Sequence, residues 1–286
     1  MAERSIGYNG NINLKKTNRQ LEWTPEQILE IHKCKNDPIY FAEKYIKIVN
    51  VDRGLIPIVL YDYQKDIINK LTNHRYVAVV TSRQAGKTTT AATAILHYIL
   101  FNDVKRVALL ANKGDAAREI LERIKISFES LPDWLQQGVV EWNKGSILLE
   151  NGSSVIAAAT SSSAIRGKSV NLLYIDEAAF VENWDDFFAS VFPTISSGET
   201  TKILFTSTPN GLNHFYKTCM GAKEEEANPG KGNGYQYVEV PWQQVPGRGD
   251  KWKQETLAAM DFDHEKFAQE FECAWLGSSG TLISGA

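Results

Sequence analysis

Cysteine is scarce in this chain of 286 residues: Cys34, Cys219 and Cys273 are three in number and lie far apart. An odd, scattered set excludes a disulfide framework and lacks the paired spacing of a zinc site, which fits a reducing compartment. Long apolar runs are missing as well. No stretch approaches the roughly 18 apolar residues of a membrane span, and the polar N-terminus has no signal-peptide core. Basic charge is in no excess, with 31 Lys and Arg against 34 Asp and Glu and a formal net charge of −3. That excludes a global basic footprint, so any DNA would be met by a local face, weakly, or by several copies together. What is present, 43% hydrophobic and 23% charged residues, is the composition of an ordinary soluble globule. The length allows one large α/β domain or a domain with a small satellite.

Residues 1–22 are polar and read as a flexible arm, with Lys15, Lys16 and Arg19 as a solvated basic cluster. Thr24-Pro25-Glu26-Gln27 has the form of a helix cap, with proline at the first helical position and Gln at the third. Asp37-Pro38 opens a second helix through about Lys47, and Asp62 a third that carries Tyr63, Gln64, Ile67, Ile68 and Leu71. Strand and helix then alternate: strand 76–81, helix 86–100, strand 105–111, helix 114–130. Asn151-Gly152, between apolar runs at 146–149 and 153–158, signals a two-residue hairpin turn. Segments 171–176 and 202–206 are apolar nearly throughout, as strands buried on both faces of a parallel sheet are. A flexible loop is expected at 222–234. After it come a strand at 235–240, a Gly-rich turn near 246–249 and helices near 250–260 and 263–272. The expected division is an arm at 1–22, a core at 23–221 and a small C-terminal subdomain at 222–286.

The apolar run Tyr76-Val77-Ala78-Val79-Val80 feeds Thr81-Ser82-Arg83-Gln84-Ala85-Gly86-Lys87-Thr88, and a helix-like stretch follows. A strand, a tight loop ending Gly-Lys-Thr and a helix make a phosphate-binding loop. Loop N–H groups and the helix N-terminus face the phosphates, Lys87 reaches the β- and γ-phosphates, and the Thr88 hydroxyl ligates Mg²⁺. Thr81 stands where the common pattern has glycine. Asp176-Glu177 ends another apolar strand, expected beside the loop strand. Asp176 is suited to hold Mg²⁺, and Glu177 to orient and deprotonate the attacking water. Together they predict a P-loop NTPase: a mainly parallel RecA-like sheet flanked by helices, with the small C-terminal subdomain.

Thr206-Ser207-Thr208 closes a third strand with hydroxyls that can report the γ-phosphate; an ordinary turn before Pro-Asn-Gly is the alternative. Two arginines are candidates for stabilising phosphoryl-transfer charge. Arg83 lies inside the loop and would act in cis, and Arg166 would reach a neighbouring subunit. The Gln64 amide donates and accepts at once, which suits the edge of adenine, although an ordinary polar helix position explains it locally. Asp261, Asp263, His264 and Glu265 suggest a metal site, but a helix capped by Asp263 with acidic residues in its first turn is the better reading.

From about Trp23 onward these segments resemble the large terminase subunit of T-even-type tailed bacteriophages. The resemblance covers Asp37-Pro38-Ile39-Tyr40-Phe41-Ala42-Glu43, Asp62-Tyr63-Gln64, the loop Ser82–Thr88 and Val140-Glu141-Trp142-Asn143-Lys144-Gly145-Ser146. It continues through Tyr174-Ile175-Asp176-Glu177, Thr208-Pro209-Asn210-Gly211-Leu212-Asn213-His214-Phe215-Tyr216 and Gly280-Thr281-Leu282-Ile283-Ser284-Gly285. It implies an ATP- and Mg²⁺-dependent motor that drives double-stranded DNA into the prohead from the host cytoplasm. The implied partners are the prohead portal protein, the small terminase subunit and further copies of the chain in a ring on the portal, with no membrane. It also implies nucleotide binding by Ser82, Arg83, Gln84, Ala85, Gly86, Lys87, Thr88 and Thr89, adenine reading by Gln64, and metal binding by Thr88 and Asp176. Glu177 becomes the catalytic base, Thr206, Ser207 and Thr208 the coupling motif, Arg83 an in-loop catalytic arginine, and Arg166 one acting in trans. The family's C-terminal nuclease domain has no acidic constellation in this sequence, so no nuclease activity is expected. The alternatives are a helicase-like DNA-dependent ATPase and a slow nucleotide-dependent assembly module.

Overall fold

The computed structural model describes residues 7–160, 165, 169–196 and 198–277. In chain order the elements are α1 (Pro25–Asn36), α2 (Pro38–Tyr45), β1 (Lys47–Asn50), β2 (Gly54–Pro57), α3 (Asp62–Asn73), β3 (Tyr76–Thr81), α4 (Lys87–Phe101), β4 (Arg106–Ala111) and α5 (Gly114–Glu129). There follow β5 (Val139–Asn143), β6 (Ser146–Leu149), β7 (Ser154–Ala159), β8 (Leu172–Asp176), α6 (Trp184–Ser196), β9 (Lys202–Ser207), α7 (His214–Ala227), β10 (Gln236–Val240), α8 (Asp250–Ala259) and α9 (His264–Phe271). The first two helices start as their sequences predict. Thr24 Oγ1 accepts from Gln27 N at 3.3 Å while Gln27 Oε1 accepts from Thr24 N at 3.1 Å, and Asp37 Oδ1 accepts from Tyr40 N at 2.8 Å.

Eight strands form one sheet in the order β10-β3-β9-β8-β4-β7-β6-β5. From β10 to β7 all neighbours are parallel; β6 and β5 return antiparallel at the far edge, β6 joined to β7 through the turn at Asn151-Gly152. Strand β3 shows why its sequence is apolar throughout. Val77 and Val79 belong to the core under α3, α4 and α5, Ala78 and Val80 to the core under α6 and α7, and all four are fully buried. A parallel sheet covered on both faces requires such strands, and their carboxyl ends then form one edge where loops gather.

The structure corrects several expectations. β10 is not part of a separate C-terminal unit: it is an edge strand of the central sheet, parallel to β3 with Val238 opposite Val79. The strand's apolar residues alternate into both cores, which only a place in this sheet satisfies. What stands apart is a small cluster of Trp242, Leu257 and Phe267 with α8 and α9 around it. The loop expected from residue 222 begins later, because α7, capped by Asn213 and rich in helix-forming Lys and Glu, runs to Ala227. Helix α2 ends at Tyr45, since β-branched Ile48 and Val49 enter the β1–β2 hairpin. The N-terminal segment is docked at Leu14 and Lys15, both buried, while Lys16, Asn18 and Arg19 stay exposed as expected of a solvated cluster. Lys15 Nζ donates to Gln136 O at 3.0 Å, Asn18 N donates to Glu150 Oε1 at 2.7 Å, and Arg19 pairs with Asp133 at 2.8 Å. Finally, β8 is not beside β3: β9 lies between them, so the hydroxyl motif separates the loop strand from the Asp-Glu strand.

Candidate active site

The site forms at the carboxyl edge of β3, β9 and β8. The loop after β3 bends through Gln84 at φ +56° and Gly86 at φ +76°, and Gly86 N-caps α4. The positive φ favours glycine there, and a Cβ on Gly86 would lie 2.6 Å from Gln64 Nε2, so any side chain would displace that amide. The loop's entry is anchored from the C-terminal side of the chain. Ser82 N donates to Val240 O and Arg83 N to Glu270 O, both at 2.8 Å. Its middle is held by α3, through Tyr63 OH donating to Ala85 O at 2.9 Å.

Lys87 Nζ, at the first helical position, lies 2.6 Å from Glu177 Oε1. Thr88 Oγ1 is 3.2 Å from Asp176 Oδ2, and Thr206 Oγ1 donates to Asp176 Oδ1 at 2.8 Å. Ser207 Oγ donates to Glu177 Oε2 at 3.2 Å, so β9 supplies one hydroxyl to Asp176, the last residue of β8, and one to Glu177 just after it. Beneath them Tyr174 is wholly buried, its hydroxyl 3.1 Å from Thr206 Oγ1. Burial, and then the Asp176 charge, push its phenol well above the ordinary range and keep it protonated. Glu177 itself is left-handed, at φ +52° and ψ +47°, an uncommon state for a non-glycine residue. The bend turns the chain out of the sheet into the 3-10 turn Ala178–Phe180 and aims the carboxylate at Lys87. The oxygen-only pair Thr88 and Asp176 fits a hard cation such as Mg²⁺, which takes one or two carboxylates together with substrate phosphates and water.

Beside the loop is a cavity of about 380 Å³ whose lining includes Ile58, Tyr61, Gln64, Gly86, Thr89 and Arg248. Gln64 is buried, with Oε1 accepting from Tyr61 N at 3.0 Å. Thr208, the last of the three hydroxyl residues, is buried at the end of β9, and the next carbonyl, Pro209 O, accepts from Gln269 Nε2 of α9 at 3.0 Å. Arg83 is paired with α9: its Nε lies 2.6 Å from Glu270 Oε2, and its side chain is 61% exposed. Arg166 lies outside the described residues. Arg248 is a site residue that sequence reasoning missed. Its Nη1 donates to Ser82 Oγ at 3.1 Å and its Nη2 to Arg83 O at 2.8 Å, with the guanidinium 4.6 Å over the Trp252 ring. Pro246-Gly247-Arg248 signals only a turn, and nothing local couples it to a loop so far back in the chain. Asp263 caps α9 by accepting from Lys266 N at 2.9 Å, and among the described residues no cluster of three or more His, Cys, Asp or Glu could hold a metal.

A lysine-bearing loop between strand and helix, facing an Asp-Glu pair across one intervening strand, defines a P-loop nucleoside triphosphatase. Residues 79–286 match the family described as terminase large subunit, T4likevirus-type, N-terminal, and the chain belongs to that family. It is thereby part of an ATP-driven motor of viral DNA packaging. Solved structures share its fold. The Thermus phage P74-26 large terminase ATPase domain is 20% identical with a TM-score of 0.64, over 76% of this chain and 94% of that one. The HK97 bacteriophage large terminase is 18% identical with a TM-score of 0.69, over 84% of this chain and 55% of that one. A large terminase from a thermophilic bacteriophage, in complex with ADP, is 13% identical with a TM-score of 0.57, over 76% of this chain and 54% of that one. The chain thus spans about half the length of the longer large terminases it matches.

Proposed function

We propose that this site hydrolyses ATP with Mg²⁺ and that the energy moves double-stranded DNA into the prohead. The observation that carries the reading is the convergence of Lys87 on Glu177 at 2.6 Å beside Thr88 on Asp176 at 3.2 Å. With ATP present, Lys87 exchanges Glu177 for the β- and γ-phosphate oxygens, and Glu177 is released to face water. Water oxygen attacks the γ-phosphorus, its proton passes to the Glu177 carboxylate, and ADP leaves with the bridging oxygen. Thr88 and Asp176 would hold Mg²⁺, which neutralises charge on the phosphate oxygens when bound. Gln64 reads the adenine edge from the adjoining cavity. Arg83 in cis, or Arg166 from a neighbouring copy, stabilises the transferring phosphoryl group. Thr206, Ser207 and Thr208 couple phosphate loss to movement of the α8–α9 cluster.

Family membership supports the wider setting: action in the host cytoplasm, as a ring of copies on the portal protein, with DNA delivered by the small terminase subunit. No helix among the described residues is long and apolar enough to cross a membrane. The direct test is phosphate release from ATP by the wild-type chain and by Lys87→Ala, with Mg²⁺ and with excess chelator. Turnover that needs both Mg²⁺ and Lys87 supports the proposal; turnover indifferent to either refutes it.

A further inference from the structure

The left-handed bend at Glu177 is held from outside its own strand, by the segment that follows β9. Three side chains of that segment donate to two successive carbonyls just past Glu177. Asn210 Nδ2 and Asn213 Nδ2 reach Ala179 O at 3.3 and 2.7 Å, and His214 Nε2 reaches Ala178 O at 2.7 Å. A carbonyl only accepts, so Nε2 of His214 carries the hydrogen. Burial holds this imidazole below its ordinary pKa, and its ring stacks on Trp184 with centroids 4.2 Å apart. Ser207 Oγ completes the grip by accepting from Ala179 N at 3.2 Å.

Asn213 is the member with two separable duties. Its Oδ1 accepts from Phe215 N at 3.0 Å and Tyr216 N at 3.3 Å, which caps α7. Those two N–H donors settle the amide's orientation and leave Nδ2 for Ala179 O. One side chain therefore ties the N-terminus of α7 to the turn that sets the direction of Glu177. We infer that Asn213 is a positioning residue for hydrolysis, holding the Glu177 carboxylate at its working place through Ala179 O. The inference rests on Glu177 being the base. A left-handed non-glycine residue persists only where its surroundings over-determine it, and Asn213 with His214 provides that determination from a single helix start.

Asn213→Asp separates the duties, because aspartate is as good an N-cap as asparagine but has no N–H for Ala179 O. ATP affinity and thermal midpoint should stay near wild type, while kcat falls about 10–100-fold, the scale of an ångström-level misplacement. A merely structural role would move the midpoint and leave the ratio of kcat to KM effects balanced. Asn213→Ser, which also keeps a cap acceptor and cannot span to Ala179, should behave the same way and serves if the aspartate variant fails to fold. In a Glu177→Gln background neither change should lower the residual rate further, since both act through one group. Normal kcat in both folded variants, or a loss that persists undiminished on top of Glu177→Gln, overturns the inference. If Glu177→Gln itself turns over like wild type, the assignment of the base has failed, and the inference falls with it. If that variant is slow while Asn213→Asp is normal, only the role of Asn213 has failed.

Discussion

Lys87 and Glu177 meet as an ion pair in this structure, so each can be tested through what it does when a phosphate competes. Glu177→Gln keeps a hydrogen-bonding group of the same size but cannot take a proton from water. Hydrolysis should fall about 10²–10⁴-fold with ATP affinity nearly unchanged, as read by single-turnover kinetics and direct binding. Equal loss of affinity and rate would remove the role of base. Gly86→Ala is a steric test: at φ +76°, with Gln64 Nε2 in the way of a Cβ, it should cost about 1–3 kcal/mol in chemical denaturation and weaken ATP binding. The residues legible in the sequence are those whose chemistry is contiguous. Gly86-Lys87-Thr88 and Asp176-Glu177 each announce themselves at the end of an apolar strand, and the structure brings Lys87, Thr88, Asp176 and Glu177 together. Arg248 and Asn213 were not legible, because their meaning depends on partners 166 and 34 residues away.

Among elements, α3 carries Gln64 to the cavity beside the loop. Gln64→Ala should weaken ATP about tenfold and inorganic triphosphate hardly at all, because a lost hydrogen bond of about 0.5–1.5 kcal/mol concerns only the ligand with a base. Equal weakening in competition assays would make Gln64 structural. The joint of α1 and α2 is pinned by Glu30, which accepts from Lys44 Nζ and Tyr45 OH at 2.8 Å and from Tyr40 OH at 2.9 Å. Burial alone would push this carboxyl up, but the bonds from Lys44, Tyr45 and Tyr40 outweigh it and hold it at about 2. A depressed carboxylate stabilises the fold above the ordinary Glu range and loses that contribution as pH falls toward its folded value. Wild type should therefore lose thermal midpoint between about pH 5 and pH 3, and Glu30→Gln should lose less over the same window. An identical pH dependence in circular dichroism melts would contradict this. Most strands and helices were legible from period and punctuation. The place of β10 was not, because an isolated apolar strand does not say which sheet it joins, and the order β3-β9-β8 is likewise set by tertiary packing rather than by any local signal.

At the scale of the whole molecule, a net charge of −3 predicts feeble DNA affinity for a single copy. Arg166, if it serves a neighbour, is absent from the site of an isolated copy, so specific activity should rise with protein concentration. Mixing Arg166→Ala with Glu177→Gln subunits should restore part of the activity, because the intact Arg166 of one copy completes the intact base of another. No recovery in a mixture shown to co-assemble would leave Arg83 as the arginine, after release from Glu270. The most direct measurement is ATP turnover by the full chain with Mg²⁺, alone and with double-stranded DNA and portal protein, against Glu177→Gln under the same conditions. Slow turnover that rises with DNA and portal and falls about 10²–10⁴-fold in the variant is the predicted result. Turnover that never exceeds the variant's, even with every partner present, would contradict the assignment of this site as the engine of packaging.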